Sequence, residues 1–351
     1  MSIVCSPRWK LIGVAGLFLF LPCVVAQKAK PAKFKVALSG RADFHTIQEA
    51  VDHAPATGAI IRIAPGTYHE KISIRSAHVI LVGAGDRPAD TIITWGDSAK
   101  NTGSTFKSGT ITVFGAGFEA ENLSIANTWW DDHPSQADRS QAVALQLEGD
   151  KAVLDRVRIV SGQDTLFANS GACHGDLSSP CAADRQFFHD CFVEGHVDYI
   201  FGEAKAVFDH CELHSRRHGN VMITAQSRHS PLEDSGFYML HCSITGANDG
   251  SKVVLGRPWR DNATVYFYDT DVEQDIDPAG WSEWGDRLAT STYREYKSHG
   301  PGANLGNRIV KSPDLELGEE AKFSTARLLA GEDAWNPERE VKVLRTLAGS
   351  R

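Results

Sequence analysis

Most of the chain consists of short runs in which apolar and polar residues alternate, as expected of β-strands. Examples are AIIRIAP (59–65), VILVGAG (79–85), TIITW (91–95), TITVF (110–114) and VYFYD (265–269). Helical periodicity is rare. It predicts one helix over 43–54, with Asp43 as its N-cap, and another over 319–329. The pattern therefore predicts an all-β fold with short helices near the two ends.

Six of the strand-like runs resemble one another: ENLSI (121–125), DRVRI (155–159), HDCFV (189–193), DHCEL (209–213), LHCSI (240–244) and YDTDV (268–272). Their third positions are separated by 34, 34, 20, 31 and 28 residues. A short repeat with insertions of variable length is typical of a solenoid, and short strands make it a parallel β-helix. A β-sandwich is the alternative, but it gives no reason for Cys to recur at one repeat position.

The third repeat position is Cys in three consecutive runs, at Cys191, Cys211 and Cys242. Neighbouring strands lie about 4.8 Å apart, a separation that a disulfide can span. One reading is a Cys191–Cys211 disulfide with Cys242 free, and a Cys173–Cys181 bond closing a surface loop. The other reading is a ladder of buried thiols packing as small apolar side chains. The sequence leaves both open.

The first 26 residues differ from the rest. Arg8 and Lys10 precede an apolar stretch from Leu11 to Val25 that ends in small residues, which predicts a cleaved secretory signal peptide. The stretch is shorter than the roughly twenty residues of a membrane-spanning helix. We therefore expect a secreted or periplasmic protein without a membrane anchor, with residues 27–351 forming a single domain whose core covers about 35–335.

Charge and cysteine spacing exclude two classes of function. The formal net charge is −8, and removing Arg8 and Lys10 makes it more negative, which disfavours nucleic-acid binding. No Cys or His pattern has zinc spacing. We therefore expect neither a nucleic-acid partner nor a metal site.

Two aspartates occupy equivalent repeat positions. Asp164 in GQDTLF (162–167) follows Val157 by seven residues, and Asp198 in VDYIFG (197–202) follows Cys191 by seven. The repeat therefore predicts that the two carboxyls stack on successive coils. Like charge then raises one pKa, which leaves one acid protonated and the other ionised. That division suits a general acid and a nucleophile.

Nearby motifs supply suitable partners for this pair. Gln141 in QAVALQL (141–147) and Gln163 offer amide donors for an oxyanion. In LGRPW (255–259), Arg257 could keep Asp198 ionised, and Trp259 could stack on a sugar ring. Spacing alone does not separate an esterase from a glycosidase, because both use paired carboxylates.

The ordered series GTYHEKI (66–72), TFKSGTITV (105–113), QAVAL, GQDTLF, VDYIFG, LGRPW and PAGWSEW (278–284) resembles the pectin methylesterase family over about residues 35–335. The resemblance implies a right-handed, single-stranded parallel β-helix and a pectinesterase of the secreted bacterial type. Such an enzyme acts as a monomer on methylesterified pectin (homogalacturonan), gives pectate and methanol, and needs no cofactor.

The resemblance also implies residue roles. Asp198 is the expected nucleophile, Asp164 the general acid and later base, and Gln141 and Gln163 the oxyanion hole. Arg257 is expected to belong to the catalytic group as well as to bind substrate. The other positions expected to bind substrate are Gln141, Trp259, Thr110, Tyr199 and Phe167. Tyr199 and Phe167 stand where the family usually has Phe and Tyr, so we expect altered substrate contact rather than loss of activity.

Two segments are longer than in the plant enzymes, 129–139 and the loop between Phe167 and Arg185, and we expect both to deepen the cleft. The Trp129–Trp130 pair could grip a sugar or pack against neighbouring loops. The remaining alternatives are an acyl-CoA or other esterase on the same fold and a non-catalytic polysaccharide-binding protein.

Overall fold

In the computed structural model, three large parallel sheets wind around one apolar core, and the short strands Cys181–Ala182 and Glu233–Asp234 pair in parallel as a separate two-stranded sheet. The structure describes residues 30–173, 178–216, 219–247, 249–316 and 318–349. Sheet I comprises Ala32–Val36, Ala59–Ile63, Val79–Gly83, Glu119–Glu121, Ala152–Asp155, Arg185–His189, Lys205–Asp209, Gly236–Leu240, Thr264–Tyr268 and Thr292–Tyr296. Sheet II comprises Gly66–His69, Thr91–Trp95, Ser124–Asn127, Arg158–Val160, Phe192–Gly195, Glu212–Ser215, Ser243–Gly246 and Asp271–Val272. Sheet III comprises Ile72–Ile74, Ile111–Val113, Leu145–Leu147, Leu166–Ala168, Ile200–Gly202, Asn220–Gln226 and Lys252–Gly256.

Each coil passes from sheet I to sheet II to sheet III, which confirms the predicted parallel β-helix. The six similar runs mark the corner between sheets I and II. Their last residues pair in sequence along sheet II, for example Ile125 with Ile159 and Ile159 with Val193. The residue before each third position has a left-handed backbone, with φ between 49° and 55°: Asn122, Arg156, Asp190, His210, His241 and Asp269. The repeat thus reflects one turn geometry that recurs at these six corners.

The cysteines settle the open alternative. Cys173 and Cys181 form a disulfide. Cys191, Cys211 and Cys242 are free and buried in the interior, so a Cys191–Cys211 bond is wrong. Each thiol lies 3.4–3.5 Å from a carbonyl oxygen in the sheet I strand of the previous coil, at Leu154, Phe188 and Phe208 respectively. These contacts explain why a small side chain with a weak S–H donor recurs at this position.

The helices differ in detail from the prediction. The first helix covers only Ile47–Asp52, and its N-cap is Thr46, whose hydroxyl accepts from the Glu49 N–H at 3.3 Å. Asp43 instead accepts from the Lys35 N–H at 2.8 Å, so its assignment as N-cap is wrong. The other helices are Ala99–Thr102, Trp129–Asp132, Thr325–Leu329 and Pro337–Gly349, with 3-10 turns at Pro88–Asp90, Thr105–Lys107, Gln136–Asp138, Arg287–Ala289, Leu305–Asn307 and Glu319–Lys322.

The C-terminal helix covers sheet I. Val341 and Leu344 of Pro337–Gly349 are buried against Val153 and Phe187. Within the described ranges, no helix has the length and apolarity needed to cross a membrane. The predicted signal peptide, residues 1–26, lies outside the described residues.

Candidate active site

Asp164 and Asp198 stand at equivalent places on adjacent coils. Leu166 pairs with Ile200 in sheet III, and each aspartate lies two residues before its strand residue. The Asp164 N–H donates to the Val197 carbonyl at 2.9 Å, which joins the two coils at this level. Both aspartates have left-handed backbones, with φ of 60° and 51°, a conformation that Asp tolerates better than most residues. The turn thereby places both aspartates just before the N-terminal ends of two neighbouring sheet III strands, Leu166–Ala168 and Ile200–Gly202.

Arg257 holds Asp198 through two hydrogen bonds. Its Nε donates to Oδ1 at 2.8 Å and its Nη2 to Oδ2 at 2.6 Å, the paired geometry of a strong Arg–carboxylate contact. Arg257 follows the sheet III strand Lys252–Gly256, and its own N–H donates to the Thr224 carbonyl at 3.0 Å. Burial raises the pKa of Asp198, and the guanidinium opposes that rise by stabilising the carboxylate.

Asp164 lacks such a paired cation. Burial raises its pKa well above the usual range, and the negative charge of Asp198 raises it further. Arg257 and a hydrogen bond from the Gln163 side chain oppose this rise of the Asp164 pKa. The environment therefore favours a protonated Asp164 beside an ionised Asp198, the asymmetry that acid and nucleophile require.

Gln141 and Gln163 lie next to each other, a few residues before the sheet III strands Leu145–Leu147 and Leu166–Ala168. The two residues form a parallel bridge, and the Ala142 N–H donates to the Gln163 carbonyl at 2.9 Å. Both glutamines line the same pocket as the aspartates. Two side-chain amides thus border the place where a carbonyl oxygen would become negative.

The pocket has a volume of about 390 Å³. Beyond the aspartates, glutamines and Arg257, it is lined by Thr105, Phe106, Phe201, Ala225, Trp259 and Trp284. The Arg257 guanidinium lies 4.1 Å from the centre of the Trp284 ring, so this tryptophan forms one wall beside the Asp198–Arg257 pair. A polar centre flanked by aromatic rings is suited to a sugar carrying a carboxyl ester.

Three of the expected substrate contacts are not placed in the pocket. Thr110 is fully buried, and its hydroxyl donates to the Ala126 carbonyl at 3.0 Å. Tyr199 is fully buried in the interior core. Phe167 lies beneath the pocket surface, with its ring centre 5.0 Å from that of Phe106 and 4.6 Å from that of Phe201. The structure therefore does not place these three side chains among the residues that line the pocket.

Sequence reasoning missed Phe106, Phe201 and Trp284. Each lies in a motif already quoted: TFKSGTITV, VDYIFG and PAGWSEW. The strand period offers the signal that could have found Phe201, because it shares the outward row of sheet III with Phe167. Trp284 lies in an irregular segment where no period applies.

The 129–139 segment packs on itself rather than presenting two free rings. The indole N–H of Trp129 donates to the Asp138 carbonyl at 2.9 Å, and that of Trp130 to the Ser140 carbonyl at 2.7 Å. Trp129 is buried and stacks on His133 with ring centres 3.8 Å apart. Of the two readings for this pair, packing is the one that these contacts favour.

Three groups of side chains in the described part of the chain bring potential metal-ligand atoms together: Asp155 with His189 and Asp190, His189 with Asp209 and His210, and Glu203 with His229 and Glu233. Neither Asp164 nor Asp198 belongs to any of them. The aspartate pair is instead tied to Arg257, so its geometry fits acid and nucleophilic chemistry by the carboxyls themselves.

Comparison with known proteins gives a consistent result. The Pectinesterase family model matches residues 33–332. Probable pectinesterase/pectinesterase inhibitor 17 of Arabidopsis thaliana is 35% identical over 316 residues, which cover 86% of this chain and 58% of that protein. Probable pectinesterase 50 of Arabidopsis thaliana is 32% identical, and the match covers 88% of this chain and 82% of that protein.

Solved structures agree. Pectin methylesterase from carrot is 30% identical, with a TM-score of 0.75 over 89% of this chain and 95% of that one. Pectin methylesterase PemA from Erwinia chrysanthemi is 26% identical, with a TM-score of 0.69, and the match covers 88% of this chain and 99% of that one. Since relatives come from plants as well as bacteria, the bacterial type is not confirmed. The family model covers nearly all of the described coils, and the chain belongs to the pectinesterase family.

Proposed function

We propose that this protein hydrolyses the methyl esters of pectin through an acyl-enzyme on Asp198. The observation that carries the proposal is the asymmetric aspartate pair. One carboxylate is held by two hydrogen bonds from Arg257, and burial together with that charge raises the pKa of the neighbouring Asp164 carboxyl. Family membership and the aromatic pocket support a methylesterified galacturonate as substrate.

In the first step, a carboxylate oxygen of Asp198 attacks the ester carbonyl. The carbonyl oxygen becomes an oxyanion that the amides of Gln141 and Gln163 stabilise. The bond to methoxide then breaks as Asp164 donates its proton, which releases methanol and leaves an anhydride between Asp198 and the substrate.

In the second step, the ionised Asp164 takes a proton from water, and the resulting hydroxide attacks the substrate carbonyl of the anhydride. Asp198 leaves as a carboxylate, Asp164 is protonated again, and the substrate acid loses its proton to solvent. The balance is one water consumed and one methanol, one galacturonate and one proton released. Each group thus returns to its starting state.

We also propose that residues 1–26 direct secretion and that the exported protein acts as a monomer. The apolar stretch after Arg8 and Lys10 supports the first statement. The second extends what the resemblance to the pectin methylesterase family implies. N-terminal sequencing of the exported protein and its mass in solution test these two points separately.

The substrate class is tested by measuring three products from the purified protein. We expect methanol from highly methylated pectin, and neither acetate from acetylated, methyl-free polygalacturonate nor free thiol from a fatty acyl-CoA. Each reaction is run with and without a chelator, and methanol release should be equal in both. Release of acetate or thiol without methanol would transfer the proposal to another ester.

The pH dependence of kcat/KM follows from the two carboxyls. Asp198 must be ionised, and its pKa is raised, so the acid limb should lie above pH 3.8. Asp164 must be protonated, and its pKa is raised well above the same value, so activity should fall again as pH rises through it. The profile should therefore be bell-shaped, and Asp164→Asn should remove the alkaline limb from whatever activity remains. Activity that rises without a maximum up to about pH 10 would contradict the assignment of Asp164 as the acid.

A further inference from the structure

Trp130 contacts the chain immediately before both glutamines of the site. Its indole N–H donates to the carbonyl oxygen of Ser140 at 2.7 Å, and Ser140 precedes Gln141. Its ring covers Gly162, which precedes Gln163. A Cβ added at Gly162 would lie 2.1–2.4 Å from the ring atoms Cδ2, Cε2 and Cγ, too close for any side chain. One indole thus touches the two backbone segments that carry the amides.

Three further contacts fix this tryptophan in place. Arg216 pairs with Asp131, the neighbour of Trp130. The same Arg216 donates through Nη1 to the Ser161 carbonyl at 3.1 Å, one residue before Gly162. The Arg139 guanidinium lies 5.0 Å from the centre of the Trp130 ring. Arg216 therefore connects the helix Trp129–Asp132 to the coil that contains Gln163 and Asp164.

Position 162 requires glycine because of the Trp130 ring, and not because of the backbone conformation. Its φ is not in the left-handed range that favours glycine, in contrast to Gly202 or Gly236. Its missing side chain instead leaves the space that the indole fills. The Trp130 ring can thus approach the backbone closely because residue 162 has no side chain.

We propose that Trp130 is a positioning residue that holds the segments 140–141 and 162–163 so that both amides face one oxyanion. The proposal rests on the proposed function. Oxyanion donors act only when they stand within hydrogen-bond distance of the developing charge, and a displacement of about 1 Å is costly. Gln141 and Gln163 share a bridge, so a shift of either segment would disturb both.

A double-mutant cycle between Trp130 and Gly162 tests this arrangement. In Gly162→Ala, the new methyl group should push the indole away, and in Trp130→Ala the support is removed. We expect each to lower kcat for methanol release by about 10–100-fold with KM changed less than about twofold. The double variant should be no slower than Trp130→Ala, because the vacated space accepts the methyl group. Trp130→Phe keeps a ring over Gly162 but loses the indole N–H, so its kcat should lie between those of the wild type and Trp130→Ala.

Losses that multiply in the double variant would overturn the proposal, as would an unchanged kcat per folded molecule in Trp130→Ala. Trp335→Ala is the matched control, because Trp335 is also half-buried beside an arginine, Arg185, but lies outside the pocket. It should leave kcat unchanged.

If Gly162→Ala does not fold, the series from wild type through Trp130→Phe to Trp130→Ala decides alone, and equal kcat in all three contradicts the proposal. If the wild type cleaves an ester other than pectin's, the same cycle is run on that ester, so the two proposals fail separately.

Discussion

Asp198→Asn is expected to abolish methanol release, with kcat/KM lowered on the order of 10⁴-fold or more. The amide has almost the shape of the carboxylate and can still accept a hydrogen bond from Arg257, so the fold should be retained. The amide is not a nucleophile, however, and cannot form the anhydride. Methanol release from methylated pectin measures the loss, and the circular dichroism spectrum and Tm verify the fold.

Asp190→Asn provides the matched control for that experiment. Asp190 lies on the same coil, has φ of 49° against 51° for Asp198, and stands at the corner between sheets I and II, away from the pocket. The substitution therefore makes the same chemical change on the same kind of turn, and activity should be unchanged. If Asp198→Asn kept more than about one-tenth of wild-type kcat, direct attack by water would replace the acyl-enzyme as the mechanism.

The fold could be predicted from the sequence because one turn recurs. Six corners between sheets I and II place a residue in the left-handed conformation and the next side chain in the interior. That geometry leaves the same short pattern at all six of these corners, although insertions vary its spacing. The helix Pro337–Gly349 was missed because it packs on the outside of a finished sheet, where the repeat gives no information.

The centre of the site could be predicted for the same reason. Residues in register on adjacent coils must be neighbours, and Asp164 and Asp198 are separated by one repeat. The side-chain directions around them were harder. The chain turns from sheet II to sheet III through the left-handed residue Asp198, so the alternation of the strand Ile200–Gly202 does not extend back to Tyr199, which enters the core.

The sequence also did not predict which neighbouring segments pack on the motif residues Phe167 and Thr110. Phe167 lies on the outward face of its strand, as its period indicates, but Phe106 from a separate 3-10 turn folds over it. Thr110 precedes its strand, and its hydroxyl bonds to a neighbouring coil. Such packing depends on loops whose path no periodicity describes. The 129–139 segment, with Trp130 laid on Gly162, is the strongest case.

Arg257→Gln is the second substitution with a large expected effect. The side chain of Asp198 is only 7% exposed, and Arg257 supplies its paired cation. Removing one partner of a buried ion pair costs about 3–5 kcal/mol when the other charge stays buried, which would correspond to a loss of about 10²–10⁴-fold in kcat/KM. Methanol release and the Tm should be measured together, because both the transition state and the fold contain this pair.

The pH profile of Arg257→Gln separates this electrostatic role from simple substrate binding. Arg257 lowers the pKa of Asp198 against the effect of burial. Without the guanidinium, burial acts alone, the pKa of Asp198 rises, and the carboxylate needed for attack forms only at higher pH. The acid limb of kcat/KM should therefore move to higher pH, and part of the lost activity should return as pH is raised. Arg257→Lys keeps a cation but not the two-point contact, so its acid limb should lie between those of the wild type and Arg257→Gln. An acid limb at the wild-type position in both variants, with only KM increased, would show that Arg257 holds the substrate and not the ionised nucleophile.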